Sequence, residues 1–190
     1  LGIKMLKNAG IQVDEGIMEH DSIYEHTGFF NRILNGMPQI TLKLASSIDG
    51  RIADKDNQSK WITSKKSRKL THLYRMQNDA VMIGAGTAEF DDPSLNVRHI
   101  KTIQQPARII LDSHLRTSVQ TKIFRSLRDF KTFVCCLKSV KPNLIKKWKD
   151  NGAHVIKCES TFDGKIDLKS ALSNLGKLGL NNIFCEGGST

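Results

Sequence analysis

The sequence has no long hydrophobic run and no leader pattern. No stretch of the 190 residues approaches the roughly 18 consecutive apolar residues that a membrane-spanning helix needs. Residues 1–20 lack the charged, apolar and small-residue segments of a signal peptide. Position 1 is Leu1 rather than methionine, so we interpret the sequence as part of a longer chain. Its 39% hydrophobic and 25% charged residues are typical of a soluble globular protein with one main domain.

Cysteine is scarce and has no metal-binding spacing. The four cysteines each lie in an apolar or strand-like run, namely Cys135, Cys136, Cys158 and Cys185. None forms a C-x-x-C pair, and the six histidines show no ligand spacing, so we expect no metal site and interpret the histidines as surface or ordinary hydrogen-bonding groups. Small apolar cysteines are common in cores. The pattern therefore predicts buried, reduced thiols and a cytoplasmic location.

The formal net charge of +10 suits nucleic acid, an anionic membrane surface or an anionic small molecule. Aromatic residues make up only 6% of the chain, and the basic clusters at 65–69 and 146–149 lie on helix faces beside apolar stripes. A solvated helix face explains these clusters better than a nucleic-acid interface does. A nucleic-acid-binding module nevertheless stays as the alternative from another class, and no membrane contact is expected.

The pattern of apolar residues changes at Pro38. Residues 15–35 have apolar side chains at roughly helical spacing after a short alternating segment at 10–13, and Gly36 to Pro38 end that predicted helix. From Gln39 onward, strand patterns alternate with amphipathic helices. Strands are predicted at 39–45, 80–85, 108–111, 132–137, 153–157 and 182–186, and helices at 65–77, 142–151 and 168–178. This alternation predicts an α/β domain with a mostly parallel sheet.

Two segments at predicted strand ends have the composition of a ligand site. Residues 84–98 (GAGTAEFDDPSLNVR) begin with glycines and place two acids before a proline, with Arg98 beyond. The acids either cap a turn or bind a ribose hydroxyl, and Arg98 suits a phosphate. Gly187 and Gly188 follow the last strand, where glycines either make a tight turn or admit a nucleotide phosphate.

Four motifs together are similar to those of a known family. These are residues 38–53 (PQITLKLASSIDGRIA), 59–64 (SKWITS), the Asp-Asp-Pro segment and the closing Glu-Gly-Gly at 186–188. In this order and spacing they resemble the reductase half of the bifunctional deaminase/reductases of riboflavin biosynthesis. The resemblance covers residues 38–190 and implies a three-layer fold similar to dihydrofolate reductase, truncated at its carboxyl end. Residues 1–37 would then be the tail of the deaminase domain and a connector.

The resemblance also implies an activity, namely NADPH-dependent reduction of the ribose of 5-amino-6-(5-phosphoribosylamino)uracil to the ribityl product. It assigns Ala45, Trp61, Thr87, Asp91, Ser113, Gly187 and Gly188 to the cofactor. It assigns Ser59, Arg75, Leu95, Arg98 and Glu186 to the substrate. Lys43 is our candidate proton donor or electrostatic stabiliser, with Glu186 as the second catalytic group. Trp61 as a core residue, Ser113 as a strand end and Lys43 as a solvent-reaching edge lysine remain the alternatives.

The chain departs from the family in one important respect. It contains neither the His-x-Glu segment nor the paired cysteines that bind zinc in the deaminase half. We therefore expect zinc only in a deaminase domain of the parent chain, and a homodimer or higher oligomer for the complete protein. A reductase of the same fold acting on another pteridine or pyrimidine is the closer alternative, and a noncatalytic fragment is a third.

Overall fold

The computed structural model describes residues 1–52 and 63–187. Eight helices and six strands occur within them. The helices are α1 (Gly2–Asn8), α2 (Glu19–Glu25), α3 (Thr27–Asn35), α4 (Lys65–Met76), α5 (Ala85–Asp91), α6 (Lys122–Arg125), α7 (Pro142–Asp150) and α8 (Leu168–Lys177). The strands are β1 (Gln39–Leu42), β2 (Ala80–Gly84), β3 (Ala107–Leu111), β4 (Thr132–Leu137), β5 (His154–Cys158) and β6 (Asn182–Cys185).

All six strands belong to one sheet in the order β1-β6-β2-β3-β4-β5, and every strand pair is parallel. This confirms the predicted α/β fold with a mostly parallel sheet. β4 is buried along its whole length and β2 along all but its last residue, as expected for strands covered on both faces. β6, the last strand along the chain, lies between β1 and β2. The carboxyl ends of all six strands therefore lie at one edge of the sheet.

Local sequence signals set the boundaries of several helices. Ser64 caps α4 by accepting a hydrogen bond from the Ser67 amide, and Asp167 caps α8 by accepting one from Lys169. Pro142 stands in the first turn of α7, where its missing N–H group is not needed. Gly36 adopts a left-handed φ of 70° directly after α3, as predicted for the end of that helix.

Other sequence predictions need correction. Residues 15–35 are not one helix, because α2 and α3 are separate helices that meet at His26. The Thr27 hydroxyl donates to the carbonyls of Ile23 and Tyr24, a side-chain bond that bends helices. Residues 10–13 form no strand. The predicted glycine loop after β2 is helix α5, and the predicted strand at 39–45 is β1, which ends at Leu42.

The buried face of α4 is polar, whereas its amphipathic pattern predicted an apolar one. Leu70 and Tyr74 are 46% and 42% exposed. The buried residues of α4 are His72 and Arg75, each 8% exposed. Tyr74 does contact the core, since its ring stacks on that of Phe184 in β6 at 5.7 Å.

The burial of the cysteines agrees with the prediction for three of the four. All four cysteines are free thiols; Cys135, Cys136 and Cys158 are buried as predicted, whereas Cys185 is only partly buried. Burial raises the pKa of Cys136 to about 11.

Within residues 1–52 and 63–187, no helix has the length and apolar character needed to cross a bilayer.

Helix α3 packs directly on the start of β6. Gly28 is buried there, and a Cβ at this position would lie 2.7 Å from the Asn181 carbonyl oxygen and even closer to the Asn182 side chain. The Arg32 Nε also donates to the Asn181 side chain at 2.7 Å. Residues before Pro38 therefore contribute to the same packed unit as the sheet.

We predict that Gly28→Ala destabilises the protein despite the better helix propensity of alanine. Crowding against a backbone carbonyl costs about 1–3 kcal/mol. Urea unfolding measures the change. Gly2→Ala in α1 is the matched control, because a Cβ there meets no atom within 4 Å. We expect the control to change stability by no more than about 0.5 kcal/mol. Equal unfolding midpoints for the two variants would contradict the packing of α3 on β6.

Candidate active site

The candidate site residues follow four neighbouring strands of the sheet. Lys43 and Ala45 follow β1, Glu186 follows β6, Thr87 lies in α5 directly after β2, and Ser113 follows β3. These strands are consecutive in the sheet, in the order β1-β6-β2-β3. Ligands of α/β sheets bind beyond the carboxyl ends of the strands. The structure therefore brings these five positions to the edge where a ligand site is expected.

A buried ion pair connects α4 to the end of β6. The Arg75 Nε donates to Glu186 Oε1 at 2.5 Å, and its Nη2 donates to Oε2 at 2.9 Å. Both side chains are only 10% exposed. Two parallel N–H···O bonds of this kind fix the orientation of both groups. The carboxylate of Glu186 is thus held at the carboxyl edge of the sheet by a cation from a neighbouring helix.

The same guanidinium also holds the loop after α5. The Arg75 Nη1 donates to the Asn96 carbonyl oxygen at 2.9 Å. The side-chain Oδ1 of Asn96 is buried and has no hydrogen-bond partner among the described residues. A buried acceptor without a partner is costly, and a donor group on a bound molecule would satisfy it. The loop therefore contributes the Asn96 carbonyl, which binds Arg75, and the Asn96 side-chain oxygen, which has no partner among the described residues.

Lys43 follows β1 at the point where β1 pairs with the end of β6. Leu42 pairs with Cys185, and the Lys43 amide donates to the Cys185 carbonyl at 2.9 Å. Lys43 is half-buried, and its ammonium makes no hydrogen bond or ion pair with the described residues. The backbone of Lys43 and the residue Glu186 thus follow the ends of two neighbouring strands, with no ion pair between their side chains.

The two adjacent acids of the Asp-Asp-Pro segment have different surroundings. Asp92 accepts a hydrogen bond from the Lys122 amide at 2.6 Å, and this bond holds the pKa of its partly exposed carboxyl below the ordinary value. Asp92 thus binds the first amide of α6, whose N-cap is Thr121. Asp91 is exposed at the end of α5. Of the two acids, Asp91 is the one that remains available for a ligand.

The loop that carries Ser113 is fixed by a residue that the sequence analysis did not single out. Asp112 is 2% exposed, and its carboxylate accepts bonds from the amides of His114, Arg116 and Thr117 and from the Thr117 hydroxyl. These bonds use the acceptor positions of Asp112, so its role is to shape the loop. Ser113 donates none of them, and its backbone carbonyl accepts from Leu137 in β4.

The backbone at the end of β2 is open. A Cβ added at Gly84 or Gly86 would meet no atom within 4 Å. Thr87, half-buried, is on the first turn of α5 next to these glycines. Among the described residues, no cluster of three or more His, Cys, Asp or Glu side chains is arranged to hold a metal.

Three of the predicted site residues, namely Ser59, Trp61 and Gly188, lie outside the residues that the structure describes. Arg98 is exposed, and its guanidinium makes no hydrogen bond or ion pair with the described residues. Leu95 is fully buried, with a left-handed φ of 56°. His72, which the sequence analysis treated with the other histidines as an ordinary group, is buried beside Arg75 and bonds to the backbone of Arg98.

The sheet and its carboxyl edge define an α/β domain whose ligand site is assembled at the ends of adjacent parallel strands. The chain belongs to the family described as the RibD C-terminal domain, whose model matches residues 38–190. It is the reductase domain family of riboflavin biosynthesis, as the resemblance implied. Reductases of this kind in general use a nicotinamide cofactor.

Relatives and solved structures agree with this assignment. The riboflavin biosynthesis protein RibD of Aquifex aeolicus is 37% identical over 187 residues, which cover 98% of this chain and 50% of that protein. The structure of Acinetobacter baumannii RibD gives a TM-score of 0.82 at 32% identity and covers 99% of this chain and 50% of that one. A Thermotoga maritima structure, described as a diaminohydroxyphosphoribosylaminopyrimidine deaminase/5-amino-6-(5-phosphoribosylamino)uracil reductase, gives a TM-score of 0.77 at 28% identity, with 100% and 50% coverage. The chain spans about half the length of the curated relatives it matches.

We predict that Glu186→Leu destabilises the protein by about 3 kcal/mol, because it leaves the Arg75 cation buried without a counter-charge. Urea unfolding measures the loss, and the double variant Arg75→Met with Glu186→Leu should recover most of it. Glu159→Leu is the matched control. Glu159 pairs with Lys138, and both side chains are about 60% exposed, so its loss costs no more than about 1 kcal/mol. Equal losses for Glu186→Leu and Glu159→Leu would show that burial of the first pair has no energetic consequence.

Proposed function

We propose that this chain is the part of its parent protein that reduces the ribose of 5-amino-6-(5-phosphoribosylamino)uracil to the ribitylamino product with NADPH. One observation carries the proposal. The fixed Arg75–Glu186 pair lies at the carboxyl end of β6, and Lys43 follows the neighbouring strand β1, in a chain of this reductase family. The Thermotoga maritima relative is described as a reductase of this same uracil compound. A same-fold reductase of another pteridine or pyrimidine is the alternative.

The proposed cofactor contacts lie along one side of the carboxyl edge. Ala45, Thr87, Asp91, Ser113 and Gly187 would bind NADPH, together with Trp61 and Gly188, which lie outside the described residues. The open space at Gly84 and Gly86 supports this placement. When bound, the cofactor supplies a hydride from its nicotinamide ring. The residues of this chain have to orient the cofactor and to exclude groups that would react in place of the substrate.

The proposed substrate contacts centre on the Arg75–Glu186 pair and the loop at 95–98, with Ser59 outside the described residues. Arg98 is the cation best placed for the 5-phosphate, because its guanidinium is exposed and unengaged. Arg75 keeps two of its five N–H donors, since three are used by Glu186 and Asn96. Glu186 keeps acceptor positions for sugar hydroxyls, and buried Leu95 would shape the floor of the site.

The chemistry requires the ribosylamine to open before reduction. The bond from C1′ to the ring oxygen breaks, a C=N bond forms between C1′ and the exocyclic nitrogen, and the proton that this nitrogen gives up balances the one that the ring oxygen takes up. Hydride addition at C1′ then moves the electron pair of that bond to the nitrogen, which takes up a proton. Lys43 is placed to donate a proton or to stabilise negative charge, and Glu186 to orient the sugar.

The remaining proposals concern the parent protein. Residues 1–37 would be the end of a zinc-dependent deaminase domain and its connector, and residues 38–190 would belong to the reductase domain. A homodimer or higher oligomer and a cytoplasmic location stay predictions, as does the absence of nucleic-acid and membrane partners.

NADPH oxidation by the full-length protein tests the proposed function. We expect a fall in absorbance at 340 nm that depends on 5-amino-6-(5-phosphoribosylamino)uracil, with NADH and the dephosphorylated compound as weaker substrates. The amino-pyrimidine that precedes deamination, tested in parallel, decides whether reduction comes before or after deamination. No oxidation above background with either phosphorylated compound would overturn the assignment, and equal rates without the phosphate would favour the alternative substrate class.

Variants of Lys43 separate its two possible roles. Lys43→Met should lower kcat by about 100-fold or more, the usual size of a general acid's contribution, with little change in the KM for NADPH. Lys43→Arg keeps a positive charge that cannot be released. It should retain activity if Lys43 acts electrostatically and lose it if Lys43 donates a proton. Lys138→Met, at an exposed lysine, is the control. An unchanged kcat in Lys43→Met would remove Lys43 from the mechanism.

A further inference from the structure

His72 links α4 to the loop that carries Arg98. Its ring is 8% exposed, and its Nδ1 accepts a hydrogen bond from the Arg98 backbone N–H at 3.1 Å. Arg75, one turn further along α4, donates to the carbonyl of Asn96 in the same loop at 2.9 Å. The buried face of α4 thus holds the loop through two hydrogen bonds, one accepted by His72 and one donated by Arg75. None of the roles assigned above by the resemblance includes His72.

The loop needs such external bonds because its own backbone is strained. Leu95 and His99 both adopt left-handed φ values, 56° and 65°, which residues with a Cβ rarely occupy. Between them, Val97 is buried and its amide donates to the Gln105 side chain at 2.7 Å. The Arg98 side chain is exposed. The direction of its guanidinium therefore depends on the Arg98 backbone, whose N–H group is hydrogen-bonded to His72.

We propose that His72 is a positioning residue of the substrate site, whose unprotonated Nδ1 fixes the Arg98 backbone and so directs the Arg98 guanidinium toward the substrate phosphate. This inference rests on the proposed function, since it needs a phosphorylated substrate at Arg98. His72 acts through Arg98 and touches neither the substrate nor the cofactor. The ring must be neutral, with its proton on Nε2, because a protonated Nδ1 would place a donor opposite the donor N–H of Arg98.

The surroundings of His72 favour this neutral form. Arg75 on α4 and Arg98 and His99 on the loop all disfavour a positive ring, and Glu186 after β6 is the opposing negative group. The His99 ring lies nearly perpendicular to that of His72, with centroids 5.6 Å apart. Burial, followed by these positive neighbours, lowers the pKa of His72 below its ordinary value of 6.5. The bond to Arg98 is thus intact at neutral pH and is lost as the pH falls through that lowered pKa.

The test compares two amides of the same polarity at position 72 in the full-length protein. In His72→Asn the side-chain oxygen reaches about the position of Nδ1, whereas in His72→Gln it reaches about that of Nε2. At pH 7.5 we expect His72→Gln to raise the substrate KM about tenfold, the effect of losing one buried hydrogen bond. His72→Asn should stay within about threefold of wild type on the same basis. The KM for NADPH should not change in either variant, and His20→Asn, at an exposed histidine, is the control.

The pH profile gives a readout that a purely structural role would not change. The substrate phosphate itself gains a proton near pH 6, so wild type and His72→Asn both lose affinity there. Only wild type has the additional loss from protonation of His72, because an amide does not titrate. The ratio of the wild-type substrate KM to that of His72→Asn should therefore rise as the pH falls through the lowered pKa of His72. Titration calorimetry with ribose 5-phosphate repeats the comparison without catalysis.

The outcomes separate this inference from the proposed function. If wild type does not turn over the phosphorylated substrate and does not bind ribose 5-phosphate, both fail together. If wild type is active but His72→Gln and His72→Asn have the same substrate KM, only the role of His72 fails. A KM for NADPH that rises in parallel with that of the substrate also overturns it, as does a pH-independent ratio of wild type to His72→Asn.

Discussion

The insertion of β6 between β1 and β2 is the constraint on which the rest of the structure depends. The last turn of α4 and the segment that follows it hold this strand at both ends. At its start, the Asp79 carboxylate accepts bonds from the amides of Asn181 and Asn182 at 2.6 and 2.9 Å. At its end, Arg75 binds Glu186 through two hydrogen bonds. One short stretch of chain thus fixes the register of the strand that completes the centre of the sheet.

This arrangement makes the fold and the candidate site depend on the same contacts. Arg75 and Glu186 are 111 residues apart in sequence, so their pairing needs a closed chain of that length, with the entropy cost that loop closure carries. Only the pairing of β1 with β6 brings Lys43 to the end of β6. The candidate site therefore exists only when the most non-local part of the sheet has formed. Local elements such as α7 and α8 have no such requirement.

Much of the fold was predictable because its signals are local. The continuous apolar runs of β2 and β4 indicate buried strands, and Ser64, Asp167 and Pro142 mark helix starts through bonds or geometry within one turn. The break between α2 and α3 was missed because it results from a single Thr27 side chain bonding backward to carbonyls. The candidate site residues came from the family resemblance and not from local patterns. The family resemblance indicated Arg75 and Glu186, but no local pattern shows that they bind each other.

The buried face of α4 shows why hydrophobic periodicity fails at such a site. Periodicity assumes that the buried positions are apolar, yet here they are His72 and Arg75, while Leu70 is exposed. A polar side chain is tolerated in the interior only when its hydrogen-bonding groups are satisfied. The partners of these two, the Arg98 amide, the Asn96 carbonyl and Glu186, lie on other elements and appear only after folding. An apolar residue at either position would bury more hydrophobic surface and leave the loop and the carboxylate without their supports. The polar residues that replace apolar packing, His72 and Arg75, lie on the one turn of α4 that supports the 95–99 loop and Glu186. Their position connects the helix to the candidate site.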